Sequence, residues 1–343
     1  MKLPFAVVPL LFLITLASPL PAQTGSPDSI PVPPSAGRTT VPMPPYASQK
    51  RSSAPATPAD GNVPTFTVDV KLVNVFVTVL DAAGGPIGGL TKDDFQLNED
   101  GHPQQIAVFD RESQMPLSIV LAVDTSLSTR KDLPLEVQSA RRFAHSIMRP
   151  VDALAVYEFS EIVHEVVPFT ADLKQIDRGI DSLRAGSATA MYDAIYLGSE
   201  ALEKRRGRKV MVIITDGGDT ISKVDYQEAL RAAQEAEAIV YSIIIVPIAS
   251  SAGRDLGGEH ALIQLSRDTG GKYYYADSLS RLDQAFDQIS QELRTQYLLA
   301  YYPSRRLADS DFRQIEVKVH VPNRKDEVLT VRHRAGYYTS KLK

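Results

Sequence analysis

The sequence predicts an α/β fold: a doubly wound, mostly parallel sheet, flanked by N- and C-terminal β segments that close into a small β-sandwich. Three observations carry this expectation. Between Leu117 and Gln296, continuous apolar runs alternate with helical periodicities. On both sides of that stretch, apolar and polar residues alternate with period two. A segment dense in Pro, Ser, Thr and Ala separates all of this from an apolar N-terminus.

The apolar runs are Leu117 to Val123, Ala153 to Phe159, Val210 to Ile214 and Ile239 to Val246, with a shorter one at Lys272 to Tyr275. Strands covered by helices on both faces read in this way, because neither face meets water. Val137, Ala140, Phe143, Ala144, Ile147 and Met148 recur at helix spacing, as do Leu282, Phe286, Ile289 and Leu293. Val163 to Phe169 follows Phe159 after a short polar turn and is expected to return antiparallel at the sheet edge.

Before this region, Phe66 to Leu72 alternates and Val73 to Leu80 continues with β-branched residues. Phe95 to Asn98 and Gln105 to Phe109 flank the turn Asn98-Glu99-Asp100-Gly101 as the two arms of a hairpin. After it, Gln296 to Tyr302, Phe312 to Val321 and Val328 to Tyr338 are again strand-like. These last strands are too few to stand alone. The expected organisation is therefore a β unit at 65–113, an α/β domain at 116–296, and a C-terminal segment at 297–343 that pairs with the first unit.

At 343 residues and 43% hydrophobic composition, the chain can bury a sizeable core, with length for about two domains and tails. A net charge of -4 leaves no basic excess to neutralise phosphates, which argues against nucleic acid as a partner. The absence of cysteine excludes disulfides, thiolate metal sites, a cysteine nucleophile and lipoprotein attachment. Met1-Lys2, the apolar run Leu3 to Leu20 and the small residue Ala22 describe a secretory signal peptide, residues 1–22. The run is near the lower limit for spanning a bilayer and contains prolines, so no stable membrane span is expected after cleavage. Residues 23–64 read as a flexible linker, and the mature protein as exported: periplasmic, cell-surface or secreted.

The chemistry is concentrated in three loops. Asp124-Thr125-Ser126-Leu127-Ser128 directly follows the first apolar run. In an open α/β sheet, ligands bind in the crevice beyond the strand ends. Alternate residues of an extended turn converge there, and a carboxylate with two hydroxyls suits a hard, magnesium-like cation. Gly186-Ser187-Ala188-Thr189 opens a helix, and Val212 to Thr215 ends in Asp216-Gly217. Taken singly, each motif is an ordinary turn or helix cap. Their joint order is what carries the metal-site reading.

The three-part pattern resembles the metal-ion-dependent adhesion site of von Willebrand factor type A (VWA) domains, found in integrin inserted domains and many bacterial surface proteins. The layout with flanking β segments and a Pro-rich leader is similar to VWA-related exported proteins of acidobacteria. The resemblance spans about Pro116 to Gln296 and implies metal ligation by Asp124, Ser126, Ser128, Thr189 and Asp216. It implies Mg2+, with Mn2+ and Ca2+ as alternatives, and a protein ligand presenting a carboxylate that completes the coordination. The physical sense is that a mostly neutral ligand set leaves the cation electrophilic. The resemblance further implies that ligand engagement shifts the last helix, about Leu279 to Leu293.

Other readings of the same residues stay open. Asp193 supports the loop or the helix start, and Asp219 is either near the metal or a solvated turn residue. The six histidines show no metal spacing, and Tyr273-Tyr274-Tyr275 reads as a packed final strand. An aspartyl phosphatase would need a second acid where Ser126 stands, and no G-x-S-x-G elbow or phosphate loop occurs. The expectation is binding without catalysis, with a scaffold bearing a degenerate metal site as the alternative and a metal-dependent hydrolase as the less favoured one.

Overall fold

A computed structural model describes residues 72–111, 114–129, 133–246, 255–305, 312–321 and 328–339. The leader, the linker and the alternation over residues 66–71 lie outside the described residues.

In chain order the elements begin with β1 (Val73–Leu80), β2 (Phe95–Glu99), β3 (His102–Gln104) and β4 (Ile106–Arg111). The α/β body follows: β5 (Leu117–Asp124), α1 (Leu133–Ile147), β6 (Ala153–Phe159), β7 (Val163–Thr170), α2 (Leu173–Asp181) and α3 (Met191–Glu203). It continues with β8 (Arg208–Thr215), α4 (Tyr226–Glu235), β9 (Ala238–Ile245), α5 (Leu256–Thr269), β10 (Tyr273–Ala276) and α6 (Leu279–Thr295). The chain closes with β11 (Tyr297–Tyr301), β12 (Phe312–Val319), β13 (Thr330–Arg332) and β14 (Gly336–Tyr338).

The central sheet has the order β10-β9-β8-β5-β6-β7. All its pairings are parallel except β6 with β7, which turns back at the edge as its sequence predicts. β5 is buried at every position, because helices cover both faces. Ile119, Leu121 and Val123 enter one core with Phe143 of α1 and Phe286 of α6, whose rings stack 4.6 Å apart. Val120 and Ala122 enter the other core, with Met191, Ala233 and Leu262 from α3, α4 and α5. Strand order reverses between β5 and β8, which opens a crevice at their carboxyl ends.

Two further sheets, β13-β1-β11-β4 and β14-β12-β2-β3, enclose a third core that includes Val75, Val77, Leu97, Leu299, Ile315 and Val317. Residues from before and after the α/β body therefore share it. β2 and β3 turn tightly about Asp100 and Gly101, both at positive φ, as a two-residue hairpin loop requires. Here the expected hairpin is corrected. Its second arm is only His102–Gln104; the chain then breaks at Gln105, and β4 crosses to the other sheet to pair with β11. Val328 to Tyr338 is likewise two short strands in different sheets, β13 against β1 and β14 against β12.

Glu99 is fully buried and joins the layers. Its Oε1 accepts from Arg313 at 2.6 Å, and its Oε2 accepts from Tyr301 at 2.7 Å and Tyr337 at 2.8 Å. Truncating one partner of such a pair leaves the other charge buried and uncompensated. Glu99→Ala should lower the unfolding free energy by about 3–5 kcal/mol, seen as an earlier urea midpoint. Tyr337→Phe, which removes one neutral donor, should cost only about 1 kcal/mol.

Candidate metal centre

The three loops lie where the sheet is open. β5 delivers Asp124 into the crevice and β8 delivers Thr215 and Asp216, while the loop before α3 supplies Thr189. Each pair of loops is tied together. The Gly186 amide donates to the Thr125 carbonyl at 2.6 Å, and the Thr220 amide donates to the Thr189 carbonyl at 2.8 Å. The Thr215 hydroxyl closes the triangle by donating to Asp124 Oδ2 at 2.6 Å.

Within the first loop, the Ser126 amide donates to Asp124 Oδ1 at 2.8 Å, a local Asx turn. Thr129 donates to the carbonyls of Asp124 and Ser126, which holds the turn closed. Ser126 and Ser128 bring their hydroxyls to 3.0 Å from one another. Asp124, Ser126 and Thr189 are buried, Asp216 is half-buried and Ser128 is exposed.

Burial pushes the Asp124 carboxyl up from 3.8 to about 6; the Thr215 and Ser126 hydrogen bonds oppose this, and the nearby Asp216 charge adds to it. Among the described residues, no Lys, Arg or His forms a salt bridge with Asp124. A carboxylate at 0% exposure with only neutral donors fits a cation, and the hydroxyls beside it are hard oxygen donors. Among the described residues, no group of three or more His, Cys, Asp or Glu side chains is placed to hold a metal ion.

Residues other than the five expected ligands hold the loops, and of these only Asp193 and Asp219 were given a role from sequence. Thr215 sits in plain view before Asp216, and its inward position at the end of a buried strand was the available signal. Asp219 is more than a solvated turn residue: its Oδ1 accepts from the Met191 and Tyr192 amides and from Ser222, capping α3 beside the loop that carries Thr189. Asp193 turns away from that helix end and accepts from the Lys223 and Val224 amides, fixing the loop after β8. Glu161, in the β6–β7 turn, accepts from the Ser187 amide at 3.0 Å and from its hydroxyl, which hold its carboxyl at about 2.

Residues 119–218 match the family model of the von Willebrand factor type A domain. That stretch runs from β5 through the Asp216 loop and is a VWA domain. No curated protein sequence matches the chain. Among solved structures, the conserved hypothetical protein BatB from Bacteroides thetaiotaomicron aligns at 20% identity over 52% of this chain and 100% of its own, with a TM-score of 0.43. A von Willebrand factor type A protein from Catenulispora acidiphila aligns at 10% identity over 81% of this chain and 76% of its own, with a TM-score of 0.47. The vWF domain of the type V pili tip protein Mfa5 from Porphyromonas gingivalis aligns at 13% identity over 52% and 95%, with a TM-score of 0.42.

The third loop leaves no room beside it. Gly217 has a φ of +92°, and a Cβ on Gly258 at the start of α5 would stand 1.5 Å from the Gly217 carbonyl oxygen. Gly258→Ala must push α5 off that loop. It should destabilise the metal-free protein by about 1–3 kcal/mol, measured by thermal unfolding.

Proposed function

We propose that the loop cluster binds a divalent cation, magnesium by preference, through Asp124, Ser126, Ser128, Thr189 and Asp216. The cation then holds a carboxylate on a protein partner, so that the exported chain acts in adhesion or in assembly of a larger complex. The observation that carries this reading is Asp124, a fully buried carboxylate whose hydrogen-bond donors are all neutral. A bound cation supplies the missing charge and an electrophilic position for the incoming acid. The chain's own part is to hold the hydroxyls and carboxylates in place. Thr215 fixes the Asp124 carboxylate, Thr129 fixes the turn, and Asp219 fixes the loop that carries Thr189. We take the role to be binding without catalysis, since the position after next from Asp124 is a serine and offers no general acid.

Calorimetric titration of chelator-treated protein with magnesium and manganese tests the reading. Saturable binding is expected in the wild type and lost in both Asp124→Ala and Ser126→Ala. Heats that are the same in the wild type and both variants would sink the site.

The raised Asp124 value gives a second test. In metal-free protein the folded carboxyl titrates near 6 and the unfolded one near 3.8. The stability this group contributes is thus full below 3.8 and lost as pH rises through 6. Metal requires the charged form, so metal affinity should run the other way, falling about tenfold per pH unit below the midpoint. Thr215→Val removes a donor that favours the charged carboxylate, so the midpoint of the affinity profile should move upward. A flat profile between about pH 5 and 8 would mean that the Asp124 carboxyl stays charged throughout that range and that burial does not raise it.

A further inference from the structure

On the side of β12 that faces away from β2, the strand changes partner along its length. Phe312 to Gln314 lie against β14. The Ile315 amide then donates to the Ala335 carbonyl at 2.8 Å, in the bend between β13 and β14. Beyond that point the chain has left for the other sheet, where β13 pairs with β1, and what meets the Val317 amide is a side chain. It donates to His333 Nε2 at 3.1 Å, so an imidazole continues the ladder in place of a strand. Nδ1 of the same ring lies 2.8 Å from the Arg334 carbonyl oxygen. A backbone amide can only donate and a carbonyl can only accept, so the two partners together require a ring with its proton on Nδ1 and a free lone pair on Nε2. The charged ring has no such lone pair. A proton on Nε2 would set two N–H groups against each other, and the contact would open.

The bend that this ring closes is where the α/β body meets both sheets of the sandwich. The Ala335 amide donates to the Asp268 carbonyl near the end of α5 at 2.8 Å. Gly270 packs so closely on the same bend that a Cβ there would stand 2.7 Å from the Arg334 nitrogen. Arg334 Nη2 donates to the Asn74 carbonyl of β1 at 2.6 Å, and its Nη1 to Glu237, just before β9, at 3.1 Å. Opening the bend would loosen all of these ties together.

We propose that His333 is a proton-released latch between the α/β body and the sandwich: neutral, it completes the edge of β12 and fixes the bend, and a mildly acidic surrounding opens both. The latch is independent of the cation reading above. Burial holds the ring below its ordinary value of 6.5, and the Arg334 charge adds to this, while the hydrogen bond to the Arg334 carbonyl and the Glu316 charge on β12 oppose it. The remaining charges around the bend are engaged elsewhere. Glu316 pairs with Lys318 at 3.0 Å and accepts from Asn98; on α5, the Asp268 carboxylate accepts from Gln264; on β13, Arg332 is turned to Glu292 and the Gly271 carbonyl. Since the folded value lies below the unfolded one, the stability this group contributes is full above 6.5 and is lost as pH falls from there through the folded value. Its sign is opposite to that of Asp124.

Hydrogen exchange of the full chain, read by mass spectrometry at about pH 7.5 and about pH 5.5 and corrected for the intrinsic pH dependence of exchange, tests the proposal. A ring that takes its proton only when the latch is open should lower the protection of the peptide spanning Val317 about tenfold between these two values. Peptides from β6 should keep theirs. His333→Gln supplies an acceptor that does not titrate, so its protection over Val317 should be the same at both values. Flat protection in the wild type, a fall that persists in His333→Gln, or an equal fall in β6 would each overturn the latch. Long-range proton–nitrogen spectra of the wild type read the ring directly and do not depend on the variant folding. They should show the proton on Nδ1 at about pH 7.5 and a midpoint below 6.5. A ring protonated on Nε2 instead, or a midpoint above 6.5, would overturn the proposal as well.

Discussion

The antiparallel pairing of β4 with β11, with Tyr297 opposite Arg111, is the constraint on which the rest of the structure depends. It places the entry and the exit of the α/β body on neighbouring strands, about 5 Å apart. A domain whose ends meet in this way can be carried within another without opening its host. β11 is also the neighbour of β1, so the strand leaving α6 runs through the middle of a sheet. Tyr297 makes that position specific. Its hydroxyl donates to the Ile87 carbonyl at 2.9 Å and accepts from the Leu90 amide at 3.1 Å, satisfying a buried polar group from a segment distant in sequence. Glu99 does the same for the second sheet by collecting Arg313, Tyr301 and Tyr337. A buried pair of this kind adds little net stability, but any other strand pairing would strand its charges.

What the sequence discloses about this fold follows from which interactions are local. The parallel strands were legible because burial on both faces turns them into unbroken apolar runs, and β7 because its turn is short and polar. Helices α1 and α6 showed their stripes, since Phe143 and Phe286 meet on one face of the sheet. The hairpin after β2 was half legible. Asp100 and Gly101 fix the turn locally, but the point at which the chain leaves for the other sheet is set by β11, far away in sequence. The split of Val328 to Tyr338 has the same origin. His333 accepts from the Val317 amide and Arg334 reaches the Asn74 carbonyl, so the bend between the two strands is fixed by partners that no local pattern records.

The candidate site follows the same rule. Asp124, Ser126, Ser128, Thr189 and Asp216 were nameable because loop motifs at strand ends are short and ordered along the chain. The residues that position them were harder to see, because each acts across loops. Thr215 belongs to β8 and serves a carboxylate on β5; Asp219 follows β8 and caps α3; Asp193 belongs to α3 and fixes the loop that contains Asp219's neighbours. Motif reading finds side chains that point at a common centre. It does not find those that hold the backbones behind them.

The same construction bears on how the site could be linked to the rest of the molecule. The family resemblance implies motion of α6 along its axis; in this chain the helix packs on α1 and is followed without a loop by β11. Here that route is heavily tethered. Arg208, buried at the start of β8, donates to the Leu293 carbonyl and so satisfies a group that the helix end leaves unpaired. At the preceding residue, Glu292 is buried beside Arg332 of β13 at 2.6 Å and accepts from Tyr274 of β10 at 3.3 Å. Near the other end, Asp283 accepts from Ser139 and pairs with Arg142 of α1. An axial step would break a buried ion pair, uncap the helix and pull on the middle strand of a sheet. Its cost falls on the sandwich as much as on the α/β body, so any ligand that moved α6 would have to repack both. A ligand unable to supply that difference would find the site in one fixed arrangement, and its affinity would then be set by the loops alone.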